Sequence, residues 1–521
     1  MKRSVMLLTL ANFVALGAGF VREVTTAYFF GASAAVDAFS VTLLYVDGIT
    51  AVVFFGLSGY MLVPVVARLT AEGHPEEGFR LMETMLLWLF AGGLPLLVVG
   101  MNWPRGLAQL IAPGFTATQS MLLADLLRLA IPSVLLITLA GILAGVLQAR
   151  AEYYTPTFGR ACLSLGVVAT LALCAGSLGV QAGSIGLIIG ATIQFLLLVG
   201  ALFYQGWHPQ FPHWRHPELR VALAAGLPTL LALVLSNILM TGGQRAFASS
   251  LPEGSLAAVN YAQRVLNLVT TLTMSLATVS LTELSAQYSA EGIADETRVL
   301  LKGSLESGIF LLTPLSFLLF ICSEPIITLI FLRGEYNIQS LALTVSCLRW
   351  FSLTIIPGML LAVLLRAYPA FRKPWHVAFI SFIWMVATLT ATVILLPWLG
   401  AMSLPAAYTF GTTVACIASV VGLWKMLGGA LFQQIGSYLL RITSFSALAV
   451  LPTMALQGII TLSARSMERY VADIWLLMWN ATLLGTCFSI ICIIKHDPQM
   501  TAIWTMCTQV YKRVRKIASI H

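Results

Sequence analysis

Apolar positions along the 521 residues gather into runs separated by short polar stretches. The runs fall at 4–27, 35–66, 81–101, 121–148, 157–178, 183–204, 221–247, 256–288, 304–331, 340–367, 376–397, 401–424, 435–461 and 471–494. A membrane-crossing helix needs about 20 predominantly apolar residues, and apolarity here is sustained rather than alternating as in a half-buried strand. The pattern predicts an all-α polytopic membrane protein with about 14 transmembrane helices. An even number of crossings places both termini on one side.

Composition agrees. Charged residues make up 10% of the chain and mean hydropathy is +0.90, whereas a soluble domain carries roughly 25% charged residues. The first run is longer than a signal-peptide core, and "FVREVTTAYFFG" contains no small-residue cleavage site, so it reads as a span. The net charge of +8 is orientation information, because Lys and Arg collect on cytoplasmic loops. Arg68, Arg80, Arg150, Arg215, Arg220, Arg298, Lys302, Arg372, Lys373 and Lys425 fall on one set of loops, with mainly Arg105, Arg333, Arg465 and Arg469 on the other. Both termini, "MKR" and the basic "YKRVRKIASIH" (511–521), are therefore predicted on the cytoplasmic side. The tail is suited to anionic lipid, and no nucleic-acid partner is implied.

Several chemistries find no support. There is no G-x-x-x-x-G-K-[ST] for nucleotide binding, no loop of domain size, and no acidic metal-binding motif of a membrane-embedded glycosyltransferase. The eight Cys include no C-x-x-C and read as small core residues; the seven His are scattered or in loops such as "WHPQFPHWRHPE" (207–218). The expectation is a transporter, not an enzyme, with no cofactor and no metal.

An internal repeat organises the chain. "GASAAVDAF" (31–39) matches "GSLAAVNYA" (254–262) with a shift of 223 residues, and the same shift carries Arg22 onto Arg245. In the same order, "TAEG" (70–73) answers "SAEG" (289–292), "LIAPGF" (110–115) answers "FLRGEY" (331–336), "LLRLAIP" (126–132) answers "CLRWFSLTIIP" (347–357), and "QARAEYYTP" (148–156) answers "RAYPAFRKP" (366–374). Two homologous six-helix lobes follow, 1–220 and 221–426, plus two additional helices and the tail in 427–521. Because six is even, the lobes enter the membrane in the same sense. That is the parallel-repeat arrangement of alternating-access transporters, with substrate between the halves.

Charges inside apolar segments are expensive and mark function by default. Arg22 and Glu23 close the first run, Arg245 takes the equivalent place in the seventh, Arg264 lies in the eighth, and Asp37 and Asp47 fall in the second. Guanidinium groups cannot discharge, and their planar donor fork fits phosphate oxygens. Arg22, Glu23, Asp37, Arg245 and Arg264 are thus candidate substrate-binding residues for a lipid with a phosphate or pyrophosphate head. Two structural readings stay open: Arg22–Glu23 snorkelling at a helix end, and Asp37 capping a helix start. Glu283, Arg128, Arg349, Arg366 and Arg441 lie near predicted helix ends and read as interface anchors. Prolines 95, 132, 228, 314 and 357 interrupt predicted helices.

"GFVREVTTAYFFGASAAVDAFSV" (19–41), "APGF" (112–115), "LLRLAIPSVLL" (126–136), "LPEGSLAAVNYAQRV" (251–265) and "LLRAYPAFRKP" (364–374) resemble the signature segments of the MviN/MurJ lipid II flippases, members of the multidrug/oligosaccharidyl-lipid/polysaccharide exporter superfamily. The resemblance implies a flippase carrying undecaprenyl-pyrophosphate-linked saccharide, lipid II first, to the outer leaflet for peptidoglycan synthesis. It places the family's Arg–acid pair on Arg22 and Glu23, its second-helix Asp on Asp37 and its cavity Arg on Arg264. It also implies that the two final helices form a groove for the polyprenyl tail. Cell-wall or polysaccharide synthases are candidate partners, beside membrane lipids, of what is expected to be a monomer. The sequence departs from the family pattern at Leu16, where a further Arg is usual, and at Asn267, where an acid is usual. The "LLRRIFAEGAFS" type of second-helix segment is replaced by "GITAVVFFGLSG" (48–59), and 376–396 lacks the acid of a sodium site reported in some members. A flippase for another lipid-linked exopolysaccharide unit is the alternative reading, and a multidrug antiporter a further one.

Overall fold

Helices account for every regular element among the residues described by the computed structural model, which are 2–210, 214–270, 295–371, 373, 375–464, 469–495 and 497–501. Ten helical stretches among them are long and apolar enough to cross a membrane, eleven if a bent pair is one span. The Trp375–Trp424 stretch is counted once although it holds two helices, Trp375–Leu399 and Ser403–Leu427. The predicted 256–288 run leaves the described residues after 270. These two places account for part of the difference from the 14 expected. Glu283, "SAEG" (289–292), Arg372, Arg465, His213, Cys507 and the basic tail also lie outside the described residues.

Local chemistry marks some of the helix boundaries. Thr116 Oγ1 accepts from the Gln119 amide at 3.3 Å while Gln119 Oε1 accepts from the Thr116 amide at 3.0 Å. This reciprocal cap starts the helix Ala117–Ala149 just after Pro113–Gly114. The predicted 340–367 run is two helices, Ile338–Ser352 and Ile355–Ala370, whose axes bend by 46°. Pro357 cannot donate to the Leu353 carbonyl and sits in the first turn after the break, where no donor is required. Pro95, Pro132 and Pro314, by contrast, lie inside helices that continue through them. The second helix does not stop at the expected 66: Ala34–Ala51 passes through a π-helical stretch, Val52–Leu62, into Val63–Ala71.

Two compact units are distinguishable, one comprising Met1–Arg264, Phe331–Cys347 and Lys373–Gly411, the other Val265–Ile330, Leu348–Arg372 and Thr412–His521. Within the first, Tyr154–Leu178 packs against Gln181–Tyr204 and against the first helix, Lys2–Phe30. The first of these crossings is built on small residues. A Cβ at Gly166 would run into the Gly186 carbonyl and Gly190 backbone, and one at Gly190 into the backbone of Cys162 and Leu163. Without a hydrophobic driving force between helices in lipid, such backbone approach is what holds them together.

In the second unit, Asp295–Ile321 packs against Ile355–Ala370, Gly429–Ala464 and Arg469–Ile494. Asp497 is buried there and accepts from Arg441 Nη2 at 2.8 Å and Tyr438 Oη at 3.2 Å. Arg441 therefore ties its helix to the segment after Arg469–Ile494. Large apolar side chains such as Leu96, Leu173, Trp398 and Leu440 point outward and exposed. In water this would be an aggregating surface; in a bilayer it is the lipid-facing coat.

The glycine crossing yields a direct test. Gly190→Leu is expected to destabilise the protein by about 3 kcal/mol, the upper end of overpacking costs. The measurement is thermal unfolding in detergent; a melting temperature equal to wild type would show that the two helices do not depend on backbone approach.

Candidate functional site

The site grows from the first helix. Arg22 and Glu23 are consecutive and both buried on it, 8 and 7 residues before its end at Phe30. Snorkelling is therefore not their arrangement. Arg22 Nη2 donates to Glu23 Oε1 at 3.2 Å and to Asp47 Oδ2 at 3.1 Å. Arg264, on the helix over 255–270, donates through Nε to the same Glu23 oxygen and through Nη2 to the same Asp47 oxygen, both at 3.0 Å. Two guanidinium groups and two carboxylates thus close a four-membered ring.

Gly19, one turn before the pair, lies beside Arg264: a Cβ there would be in ordinary contact with Arg264 Nη1, at 3.9 Å. Exposure is graded around the ring. The side chains of Arg22 and Glu23 are 2% and 6% exposed, while those of Arg264 and Asp47 are 28% and 43% exposed. One edge is sealed in protein and the other is open.

The charge balance differs from the Arg-rich surface expected from the sequence, because each of these two arginines is matched by an acid. The reason is energetic: a charge at this depth is tolerable only when compensated. Asp47, absent from the candidate set, is the acid that completes the balance. Its apolar-segment position was the available signal, yet only the tertiary structure reveals that it shares both arginines with Glu23.

Asp37, on the helix Ala34–Ala51, and Arg245, on the helix Thr241–Ala248, stand outside the ring and bind neighbouring turns of the helix 255–270. The buried Asp37 carboxylate accepts from the Gly254 and Ala257 amides, both at 2.7 Å. It therefore caps the start of that helix, from another helix, and complements its dipole. Gly254 is at φ +80°, and a Cβ on it would meet the Ala32 carbonyl. Tyr261 Oη, four residues after Ala257, donates to the Gly31 carbonyl at 2.8 Å. Its ring packs with Phe331 and Tyr336, centroids 4.9 and 5.8 Å away.

Buried Arg245 donates through Nη2 to Asn260 Oδ1 and, at 3.2 Å, to Gln263 Oε1. Its Nη1 has no hydrogen-bond partner among the described residues. Arg22 and Arg245, equivalent in the repeat, are thus treated unequally: one is held by carboxylates, the other by neutral amide oxygens.

The ring predicts non-additive energetics. Arg22→Ala leaves two carboxylates on one guanidinium and is expected to cost about 3–5 kcal/mol. Adding Glu23→Gln is expected to return part of that loss. Thermal unfolding of the two single variants and the double variant measures the coupling; strictly additive changes would dissolve the ring as an energetic unit.

Comparison with known proteins bears on what this geometry serves. A family model described as "Lipid II flippase MurJ" matches residues 26–479. A curated relative from Burkholderia cenocepacia, named "Lipid II flippase MurJ", is 24% identical over 434 residues, covering 80% of this chain and 83% of its own. A "Probable lipid II flippase MurJ" from Buchnera aphidicola subsp. Acyrthosiphon pisum is 26% identical over 376 residues, covering 70% and 72%. Among solved structures, "Lipid II flippase MurJ, inward closed conformation" superposes with a TM-score of 0.78 at 18% identity, over 94% of this chain and all of that one. A multidrug resistance MATE family transporter of the MOP superfamily, inward-facing, superposes at 0.65 with 14% identity, over 82% and 95%. The chain is a multi-pass membrane protein and belongs to the lipid II flippase MurJ family.

Proposed function

We propose that this protein carries lipid II, an undecaprenyl-pyrophosphate-linked saccharide, from the inner to the outer leaflet of the cytoplasmic membrane by alternating access, supplying peptidoglycan synthesis. The observation that carries the reading is the convergence of Arg22 and Arg264 on single carboxylate oxygens, within a chain matched by the family model over 26–479. A pyrophosphate offers the same oxygens in the same fork geometry. Arg245, one turn along from Arg264 through Asn260, is the proposed second contact, with its unpartnered Nη1 as donor.

The two-lobe organisation, 1–220 and 221–426, is part of this proposal. In its support, Gly31 and Gly254, equivalent by the 223-residue shift, are both left-handed, at φ +60° and +80°. A Cβ on Gly31 would meet the Glu335 backbone and one on Gly254 the Ala32 backbone, each a residue of the other half. Asp37 likewise joins the halves through Gly254 and Ala257. In the proposed cycle these contacts, together with Tyr261 on Gly31, close the outer side and release when it opens. Both termini are then cytoplasmic, and lipid bathes the outward apolar side chains.

A second reading has one observation in its favour. The acids Glu23 and Asp47 neutralise the arginines, and a site without net charge suits a different lipid-linked glycan as well as lipid II.

Complementation separates the two. In a strain depleted of its own lipid II flippase, wild type is expected to restore growth, while Arg22→Ala and Arg264→Ala at matched expression are expected to fail. Rescue by all three would remove the arginines from the mechanism. Failure of well-expressed wild type would favour the other glycan.

A further inference from the structure

The four ring members are not equivalent. Glu23 is sealed and bridges Arg22 Nη2 and Arg264 Nε through Oε1. It is a permanent counter-ion. With Glu23 counted, the two arginines retain one positive charge, and Asp47 removes it. Asp47 is the most exposed of the four, at 43%, and one oxygen, Oδ2, takes both of its bonds, from Arg22 Nη2 at 3.1 Å and Arg264 Nη2 at 3.0 Å. Two guanidinium groups focused on one oxygen at the open edge is how a phosphate oxygen would be held.

We infer that Asp47 is an internal occupant of the phosphate seat and thereby a specificity-determining residue: a lipid head group binds by displacing it, and only a diphosphate does so effectively. The inference rests on the lipid-linked substrate reading above and deepens it. A carboxylate already satisfies both arginines, so a ligand gains only the difference between its own bonds and those of Asp47. A monophosphate exchanges like for like and also meets repulsion from the displaced carboxylate. A diphosphate carries more charge and a second set of oxygens, enough to hold both guanidinium groups. When the head group leaves, Asp47 closes the ring again, so the arginines are never left uncompensated. Displacement involves no covalent step. Asp47 moves away from Arg22 and Arg264 into the open side, where its exposure lets water solvate it.

Purified full-length protein is titrated with undecaprenyl diphosphate and, separately, undecaprenyl monophosphate, with binding read by native mass spectrometry. Wild type is expected to prefer the diphosphate. Asp47→Asn, nearly isosteric and uncharged, is expected to bind both carriers more tightly. The monophosphate gains the more, about ten-fold, the equivalent of one charge-assisted hydrogen bond of lost competition. The preference therefore narrows. Asp47→Glu, which keeps the carboxylate, is expected to restore it, so a loss of fold in Asp47→Asn is distinguished from a loss of competition. If Asp47→Asn leaves both affinities unchanged while Arg264→Ala abolishes binding, the substrate reading survives and the role of Asp47 is overturned. If Asp47→Asn binds either carrier more weakly than wild type while still folded, Asp47 is a ligand contact and the inference also fails. If wild type and every variant bind neither carrier, both readings fall together.

Discussion

Two guanidinium groups and two carboxylates, closed on each other inside a helical membrane protein, set the terms for the rest of this structure. The two sealed members, Arg22 and Glu23, carry charges that burial makes costly without a partner. Arg22 and Glu23 need Arg264, and Arg264 with Arg22 needs Asp47. The ring therefore requires the first helix, the second helix and the helix 255–270 to meet at one level.

The helix 255–270 is where the polar contacts of the first unit converge. Its start is capped by Asp37, Asn260 and Gln263 hold Arg245, Tyr261 holds the Gly31 carbonyl, and Arg264 closes the ring. These positions recur at three- and four-residue intervals, so one turn follows another along neighbouring faces. A movement of this helix along its axis would change all of the contacts together. The contacts are coupled in this way because each is directional and none can stretch far.

The unequal surroundings of Arg22 and Arg245 are informative. The shift that takes Arg22 to Arg245 takes Glu23 to Ala246 and Asp37 to Asn260. At the shifted positions neutral residues stand where the acids were, and Arg245 rests on amide oxygens. Arg22 and Arg245 each keep one buried nitrogen, Nε and Nη1, without a hydrogen-bond partner among the described residues, so they differ in the charge of what holds them rather than in unused donors.

The helical membrane architecture was legible in the chain from elementary considerations. Sustained apolar runs near bilayer length have no other stable use, since backbone groups in lipid must be satisfied within the segment. Pro357 stood out in the sequence as an interruption, but so did Pro95, Pro132 and Pro314, which lie inside continuous helices, so a proline alone does not encode where a helix breaks. The candidate charges were legible too, as anomalies of cost in Arg22, Glu23, Asp37, Arg245 and Arg264. Their partners were not. Asp47 meets Arg264 across 217 residues and Asp37 meets Gly254 across a similar interval, and no periodicity encodes such distances. Whether a buried arginine stands free or neutralised depends on which acid the packing of three helices brings within about 3 Å, and that juxtaposition exists only once the chain is folded.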